Sequence, residues 1–275
     1  MTRKRIARAL AVLLVVLLGA LGFVASGFVG LRPAVDGTDL LGGGRLLVDG
    51  VANLYVLPAS PTDVVLIDCG ADTAGARIDA ELAAQGLTRA AVKAIFLTHG
   101  HRDHTGACHN FPAATVYAMP GDVGLIEGTE AAHGPIPRLL GRATAQAVHV
   151  GHPLTDGEIV RVGALVVRAY AIPGHTAGSA AFDVSTGERP GAVFFGDALA
   201  ANADGTLRTA PWVFSDDTTL NRQSVAGLAA RLAGAPIVGL AFGHSGPVEG
   251  DEVPRALASL ASLPPQTAAV LTLPP

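Results

Sequence analysis

Short apolar runs bounded by glycine, proline or charged turns recur along the chain. They predict strands at residues 45–48, 51–57, 64–67, 94–97, 115–118, 159–162, 165–171, 180–184, 192–195 and 236–242, the run at 94–97 a buried one, with Val148 and Val150 as further strand candidates. Asp49-Gly50, between the first two runs, is a hairpin signal. Other segments carry helical spacing. In residues 73–85, Ile78 and Leu82 share a face and Gly86 marks the stop. In residues 218–232, Leu220, Val225, Leu228 and Leu232 are expected to point inward, and residues 253–263 predict a closing helix. Residues 128–144 read as irregular, and residues 200–217 as a loop holding the only tryptophan, Trp212. Strands thus come in two consecutive groups, each followed by helix. That order suits an α/β fold with two sheets packed face to face and helices outside.

The pattern breaks at the N-terminus. Arg3, Lys4, Arg5 and Arg8 precede 23 residues without a charge, from Ala9 to Leu31. As a helix rising about 1.5 Å per residue, this run reaches roughly 34 Å, enough to cross a hydrocarbon core of about 30 Å. A cleavable signal has a shorter apolar region, about 7–15 residues, ending in small residues such as Ala25-Ser26-Gly27. The glycines after Leu18 weaken the second half of the span, yet its length favours an uncleaved anchor. Residues 1–31 are therefore expected to be a transmembrane anchor or signal peptide. The basic end would stay in the cytoplasm and the remainder would lie outside a bacterial-type cell membrane. Residues 32–44, rich in Gly, Pro and Asp, read as a linker, and residues 45–275 as one large domain. With 275 residues and 49% hydrophobic content, the chain can bury a core of that size.

Charge and cysteine content narrow the partners. The formal net charge is -4, but four of the 19 basic residues precede the apolar run, leaving about -8 on the remainder. Such a surface repels a polyphosphate backbone, so no nucleic-acid partner is expected. Cys69 and Cys108 are too few for a disulfide framework. Both fall near site motifs, which leaves a single bridge open. They read best as two small buried thiols.

The chemistry concentrates at Thr98-His99-Gly100-His101-Arg102-Asp103-His104, directly after the apolar run 94–97. Three imidazoles and a carboxylate at a strand end supply borderline nitrogen and hard oxygen ligands for a metal. Alternation in an extended chain places His99, His101 and Asp103 on one side and His104 on the other. That split is awkward for one tetrahedral ion and natural for two neighbouring ions. A chance polar turn rarely gathers three of the chain's nine histidines within six residues.

His-x-His-x-Asp-His after a short strand resembles the signature of the metallo-β-lactamase superfamily. The family's further motifs follow in order: Leu66-Ile67-Asp68-Cys69-Gly70 upstream, then Pro173-Gly174-His175, Phe195-Gly196-Asp197 and Phe242-Gly243-His244. The likeness covers roughly residues 45–263. It implies the αββα sandwich, with metals at one edge between the sheets. It also implies that His99, His101 and His175 hold a first metal and Asp103, His104 and His244 a second, with Asp197 bridging. The cofactor so implied is two zinc ions per chain, iron or manganese being alternatives, with a bridging hydroxide as nucleophile. Asp103 would orient the hydroxide or carry a proton, and Asp68 would fix a loop or a ligand imidazole. His109, His133, His149 and His152 match no motif; His133 is kept as a candidate for substrate contact.

Departures from the family's branches shape the expected substrate. True β-lactamases of the superfamily generally lack a bridging aspartate where Asp197 stands. Glyoxalase II adds a sizeable C-terminal helical region that binds glutathione, whereas 31 residues follow His244 here. Nuclease branches need extra domains or basic surfaces. The expected partner is thus a small acyl compound: an ester, lactone or thioester. Pro135, Ile136, Pro137, Leu139, Trp212, Val213 and Phe214 would form an apolar pocket wall, with Arg138 and Arg142 as carboxylate partners. The competing readings are persulfide oxidation at a single iron, β-lactam or phosphodiester hydrolysis, and a non-catalytic membrane-associated metal-binding module. No oligomeric state is implied.

Overall fold

The computed structural model describes residues 25–260 apart from 42, 141–147 and 188, together with scattered positions among residues 1–24. The chain divides into two units, Met1–Leu31 and Arg32–Pro275. Among the described residues no helix is long and apolar enough to cross a membrane. Residues 9, 13, 16, 17, 20, 21, 23 and 24 of the span expected at residues 9–31 lie outside the described residues, as do Arg142 and the end of the helix expected at residues 253–263.

In the larger unit the first sheet takes seven strands in simple chain order. They are β1 (Asp39–Leu40), β2 (Gly44–Asp49), β3 (Ala52–Pro58), β4 (Val64–Ile67), β5 (Val92–Phe96), β6 (Thr115–Ala118) and β7 (His152–Pro153). Strands β1 to β4 pair antiparallel and β4 to β7 parallel. The hairpin at Asp49-Gly50 forms as predicted, with Asp49 opposite Ala52. Helix α1 (Ala76–Ala84) crosses from β4 to β5. It starts later than residue 73 because the Asp72 carboxylate accepts the N–H groups of Ala74 and Ala76, making a turn first. Helix α2 (Arg102–Thr105) follows β5, and α3 (Val123–Ile126) follows β6. Val148 and Val150 are buried but lie in irregular chain; the short β7 forms beyond them.

The second sheet holds β8 (Ile159–Val162), β9 (Leu165–Ala171), β10 (Ala180–Ser185), β11 (Gly191–Phe194) and two later strands. The segment read as a loop at residues 200–217 folds into a separate two-stranded sheet, β12 (Leu199–Ala201) with β13 (Leu207–Thr209), and a 3-10 turn at Trp212–Phe214. Helix α4 (Thr218–Leu232) then leads to β14 (Ile237–Ala241), β15 (Val248–Glu249) and α5 (Val253–Ser259). The sheet order is β15-β14-β11-β10-β9-β8, with β11 and β14 parallel.

Strand alternation builds three cores from these elements. Leu46, Tyr55, Ile67 and Phe96 of the first sheet meet Val167, Phe182, Val184 and Phe194 of the second. Their neighbours Leu47, Leu54, Leu66 and Ile95 face outward onto Ile78 and Leu82 of α1. On the far side, Val193 and Leu240 pack under Val225, Leu228 and Leu232 of α4 and Val253 of α5. The layers are therefore helix, sheet, sheet, helix. Each such fully buried Phe, Leu or Val contributes about 1.5–3 kcal/mol relative to exposure. Leu220 does not join them: it is 39% exposed. Its neighbour Asn221 takes the buried place, because its Nδ2 donates to the Ala198 carbonyl beside the site.

The reading of Cys69 and Cys108 as free thiols is corrected. They form a disulfide, with Cα atoms 5.4 Å apart. Cys69 lies near the start of the loop after β4, and its N–H donates to the His104 carbonyl. That contact draws the turn after α2, where Cys108 sits, against the strand end.

Candidate metal centre

Five loops build the site. They follow β4, β5, β9, β11 and β14, and within each sheet these strands run in the same sense. All five loops therefore open at the carboxyl ends, where α/β folds place ligands. The fold brings all seven proposed ligands together in two groups: His99, His101 and His175, and then Asp103, His104, Asp197 and His244.

The extended alternation expected for the motif stops at His101. There the chain turns into α2, with the Thr105 N–H and hydroxyl both bonded to the His101 carbonyl. Asp103 consequently leaves the side of His99 and His101 and faces the same group as His104.

Fixed acceptors orient four of the five imidazoles. The Thr98 hydroxyl donates to Asp68 Oδ2 (2.8 Å), so toward His99 Nδ1 (3.1 Å) it can only accept. Asp68 Oδ2 also accepts from His104 Nδ1 (2.8 Å). His175 Nδ1 meets Ser215 Oγ (3.3 Å), whose own proton goes to the Pro211 carbonyl. His244 Nδ1 donates to the Val51 carbonyl (2.6 Å). In each case Nδ1 carries the proton and Nε2 faces the site. His101 is reversed: its Nδ1 lies 3.1 Å from Nε2 of both His99 and His175.

Asp197 stands between the groups. Its Oδ2 is 2.9 Å from His244 Nε2, 3.7 Å from His175 Nε2 and 3.9 Å from His99 Nε2, and its Oδ1 is 3.2 Å from His104 Nε2. Asp103 Oδ2 lies 3.4 Å from His244 Nε2 and 3.8 Å from His104 Nε2. The His244 loop comes this close because Gly243 has no side chain; a Cβ there would sit 1.9 Å from Asp197 Oδ1. From β3, Asn53 and Tyr55 hold the loop, donating to the carbonyls of Phe242 and Ser245.

Burial keeps the first group neutral. It lowers His99 well below its ordinary value, lowers His101, and brings His175 to about 3. Burial acts the same way on His104 and His244, but carboxylate charge outweighs it. Asp197 and Asp103 raise His104 well above its ordinary value, and they raise His244 to about 10. Burial likewise opposes ionisation of Asp197 and Asp103, yet the His244 and His104 charges hold both carboxyls below the usual range.

This donor set fits divalent metal: neutral imidazole nitrogens in one group, two ionised carboxylates with imidazoles in the other. His104 Nε2 and Asp197 Oδ1 are out of hydrogen-bonding alignment. With His101 Nε2, they are buried polar atoms without a hydrogen-bond partner among the described residues. A metal entering the second group would displace the protons that His104 and His244 carry.

The remaining expectations divide. Asp68 is buried, with the left-handed backbone its sharp turn requires (φ 60), and it ties Thr98 to His104. His109, His149 and His152 lie outside both metal-ligand groups, and the His149 and His152 rings pair with Glu127 and Glu158. His133 is exposed and close enough to Asp216 to influence its charge. The two segments expected to form a pocket wall meet each other. The Ile136 N–H donates to the Val213 carbonyl (2.8 Å), joining the two loops beside Ser215 and His175. Pro137 and Val213 are buried, while Leu139 and Trp212 are exposed. Sequence reasoning missed the parts that Thr98 and Ser215 play in orienting His99 and His175. Thr98, next to His99 at a strand end, was the one with a readable signal.

The model of the metallo-β-lactamase superfamily matches residues 47–244. The chain is 34% identical over 134 residues to a hydroxyacylglutathione hydrolase of Cupriavidus taiwanensis, a match covering 48% of this chain and 44% of that protein. It thus spans less than half the length of that relative. It is 32% identical over 166 residues to an uncharacterized protein of Mycobacterium bovis, covering 56% of this chain and 70% of that one. A solved B3 metallo-β-lactamase with an active-site glutamic acid shares the fold at a TM-score of 0.61 and 24% identity, over 87% of this chain and 93% of that chain. The family match runs from within β2 to His244 and so takes in strands of both sheets and every motif that lines the site; the chain belongs to the metallo-β-lactamase superfamily.

Proposed function

We propose that the protein hydrolyses a small acyl compound, a thioester, ester or lactone, using two zinc ions per chain. The observation that carries this reading is the division of seven ligand side chains into two groups, with Asp197 between them. The likeness to hydroxyacylglutathione hydrolases over about half the chain favours a thioester. Zinc bound there supplies Lewis acidity, bringing the pKa of water from 15.7 to about 7 and polarising an acyl carbonyl.

The chain's own residues do the rest. His99, His101 and His175 would hold one ion, Asp103, His104 and His244 the other, and Asp197 both. Asp68 keeps His104 in its Nδ1–H tautomer and, through Thr98, does the same for His99. Asp103 has a side chain 28% exposed and is held in its ionised form, so it can accept a hydrogen bond from a water and orient it. The joined loops at Ile136 and Val213 would shield an apolar acyl group, and the exposed Arg138 would meet a carboxylate. Two tests bear on this. Metal analysis should find two zinc ions per chain, and a panel of ester, lactone, thioester, lactam and phosphodiester substrates should show acyl cleavage with lactam cleavage weak. Phosphodiester cleavage without any acyl activity would overturn the proposal. Trp212→Ala should raise KM about 5–30-fold with a smaller fall in kcat, since burying about 1–2 kcal/mol of aromatic surface binds ground and transition states alike. A fall confined to kcat would remove Trp212 from the pocket.

The same reading places the domain outside the cytoplasm, anchored by residues 1–31 or released by their cleavage. The basic residues before the uncharged run support this, as does the Cys69–Cys108 disulfide, which persists in oxidising compartments. Protease added to spheroplasts should digest the domain and spare cytoplasmic controls. Full protection would refute this placement.

A further inference from the structure

Asp122 has no part in the chemistry described so far. It ends the 3-10 turn Pro120–Asp122 after β6 and is 1% exposed. Its carboxylate reaches between the two loops that carry the first histidine group. Oδ2 accepts the N–H of Gly100, the peptide between His99 and His101 (2.7 Å), and the hydroxyl of Thr176, next to His175 (2.7 Å). Oδ1 accepts the Gly178 N–H (2.6 Å). One loop leaves the first sheet and the other the second, so a single buried group ties them across the sandwich. The approach leaves no room to spare: a Cβ on Gly178 would lie 2.3 Å from the Asp122 nitrogen.

His101 is the imidazole that most needs such a tie. The other four have Nδ1 held by Thr98, Asp68, Ser215 or the Val51 carbonyl. His101 directs Nδ1 into the site, and its Nε2 has no hydrogen-bond partner among the described residues. Its ring contacts are to His99 and His175 themselves, and among the described residues no group outside the ligand set hydrogen-bonds the ring, whereas the preceding peptide is the one Asp122 holds. Asp122 makes no such contact with the second group.

Resting on the two-metal reading above, we infer that Asp122 is a positioning residue for the first group. By fixing the Gly100 peptide against Thr176 and Gly178, it sets where His101 and His175 meet, and its loss weakens metal binding there while sparing the second group.

Zinc affinity measured by chelator competition on the full chain tests this, with His175→Ala and His244→Ala backgrounds assigning the two ions. Asp122→Asn keeps the shape but turns an N–H toward one of the donors. It should retain a cooperative thermal transition and second-group affinity, with first-group affinity falling about 10–100-fold, the range seen when groups supporting metal ligands are lost. Thr176→Val removes one donor and should give a smaller fall that Thr176→Ser restores. Unchanged affinity at both groups in Asp122→Asn, or equal weakening of both, would overturn the inference. If Asp122→Asn does not fold, Thr176→Val decides, and unaltered first-group affinity there overturns it. A wild-type chain that bound no zinc would overturn the proposed function and this inference with it. Two ions in the wild type with unaffected variants would overturn this inference alone.

Discussion

Asp197→Ala is expected to lower zinc content from about two ions to below about one per chain and to cut kcat/KM by about 10³-fold or more, equivalent to about 4 kcal/mol of barrier. Its carboxylate lies within 3.9 Å of Nε2 of His99, His104, His175 and His244, and so touches both groups. In the proposed two-ion arrangement, removing it would delete a ligand from each ion. It also withdraws the charge that outweighs burial at His104 and His244. His244→Ala should behave differently, weakening the second ion and leaving the His99, His101 and His175 group loaded. Metal content by emission spectrometry, taken beside kcat/KM, distinguishes the two variants. An Asp197→Ala protein that still bound two ions at wild-type affinity would refute the bridging role.

Opening the Cys69–Cys108 bridge should lower stability by about 3–4 kcal/mol, the loop-closure entropy for a separation of 39 residues. At about 2–4 °C per kcal/mol for a domain of this size, Tm should drop roughly 10 °C. The effect should extend to the metals. Cys69 directly follows Asp68, and its N–H bonds the His104 carbonyl, so the bridge braces the segment that orients His104. Cys69→Ala/Cys108→Ala should therefore lose the second ion more readily than the first. Both sulfurs are buried, so reductant should act slowly on the folded protein. A double variant with unchanged Tm and unchanged zinc affinity would show that the bridge is dispensable.

Much of this molecule was written in local pattern. The apolar runs at residues 64–67, 115–118, 159–162 and 165–171 became strands with those bounds, and residues 218–232 became α4. A strand or helix reads its own period, and four of these segments bury a face set by it, whereas residues 159–162 form the edge strand β8 and stay half-buried to exposed. The seven ligands were legible as motifs, because each sits directly after an apolar strand whose end can be read. Local pattern failed where a neighbour distant in sequence decided the outcome. Leu220 stays outside because Asn221 finds the Ala198 carbonyl, and residues 200–217 form β12 and β13 by pairing with each other.

The sequence by itself determined most of the strands, the family and which side chains stand as candidate ligands. Which imidazole nitrogen faces the site was decided by tertiary structure, since the tautomers depend on acceptors as far away as the Val51 carbonyl, 193 residues from His244. So was the pairing of Cys69 with Cys108, which needed two loops to pack before their Cα atoms could approach to 5.4 Å. Asp122 makes the same point: it follows a Pro-Gly turn and looks like any turn aspartate. Only when the loops after β5 and β9 converge does it gain three donors from two different sheets. A buried carboxylate is stable there because those donors replace the water it lost.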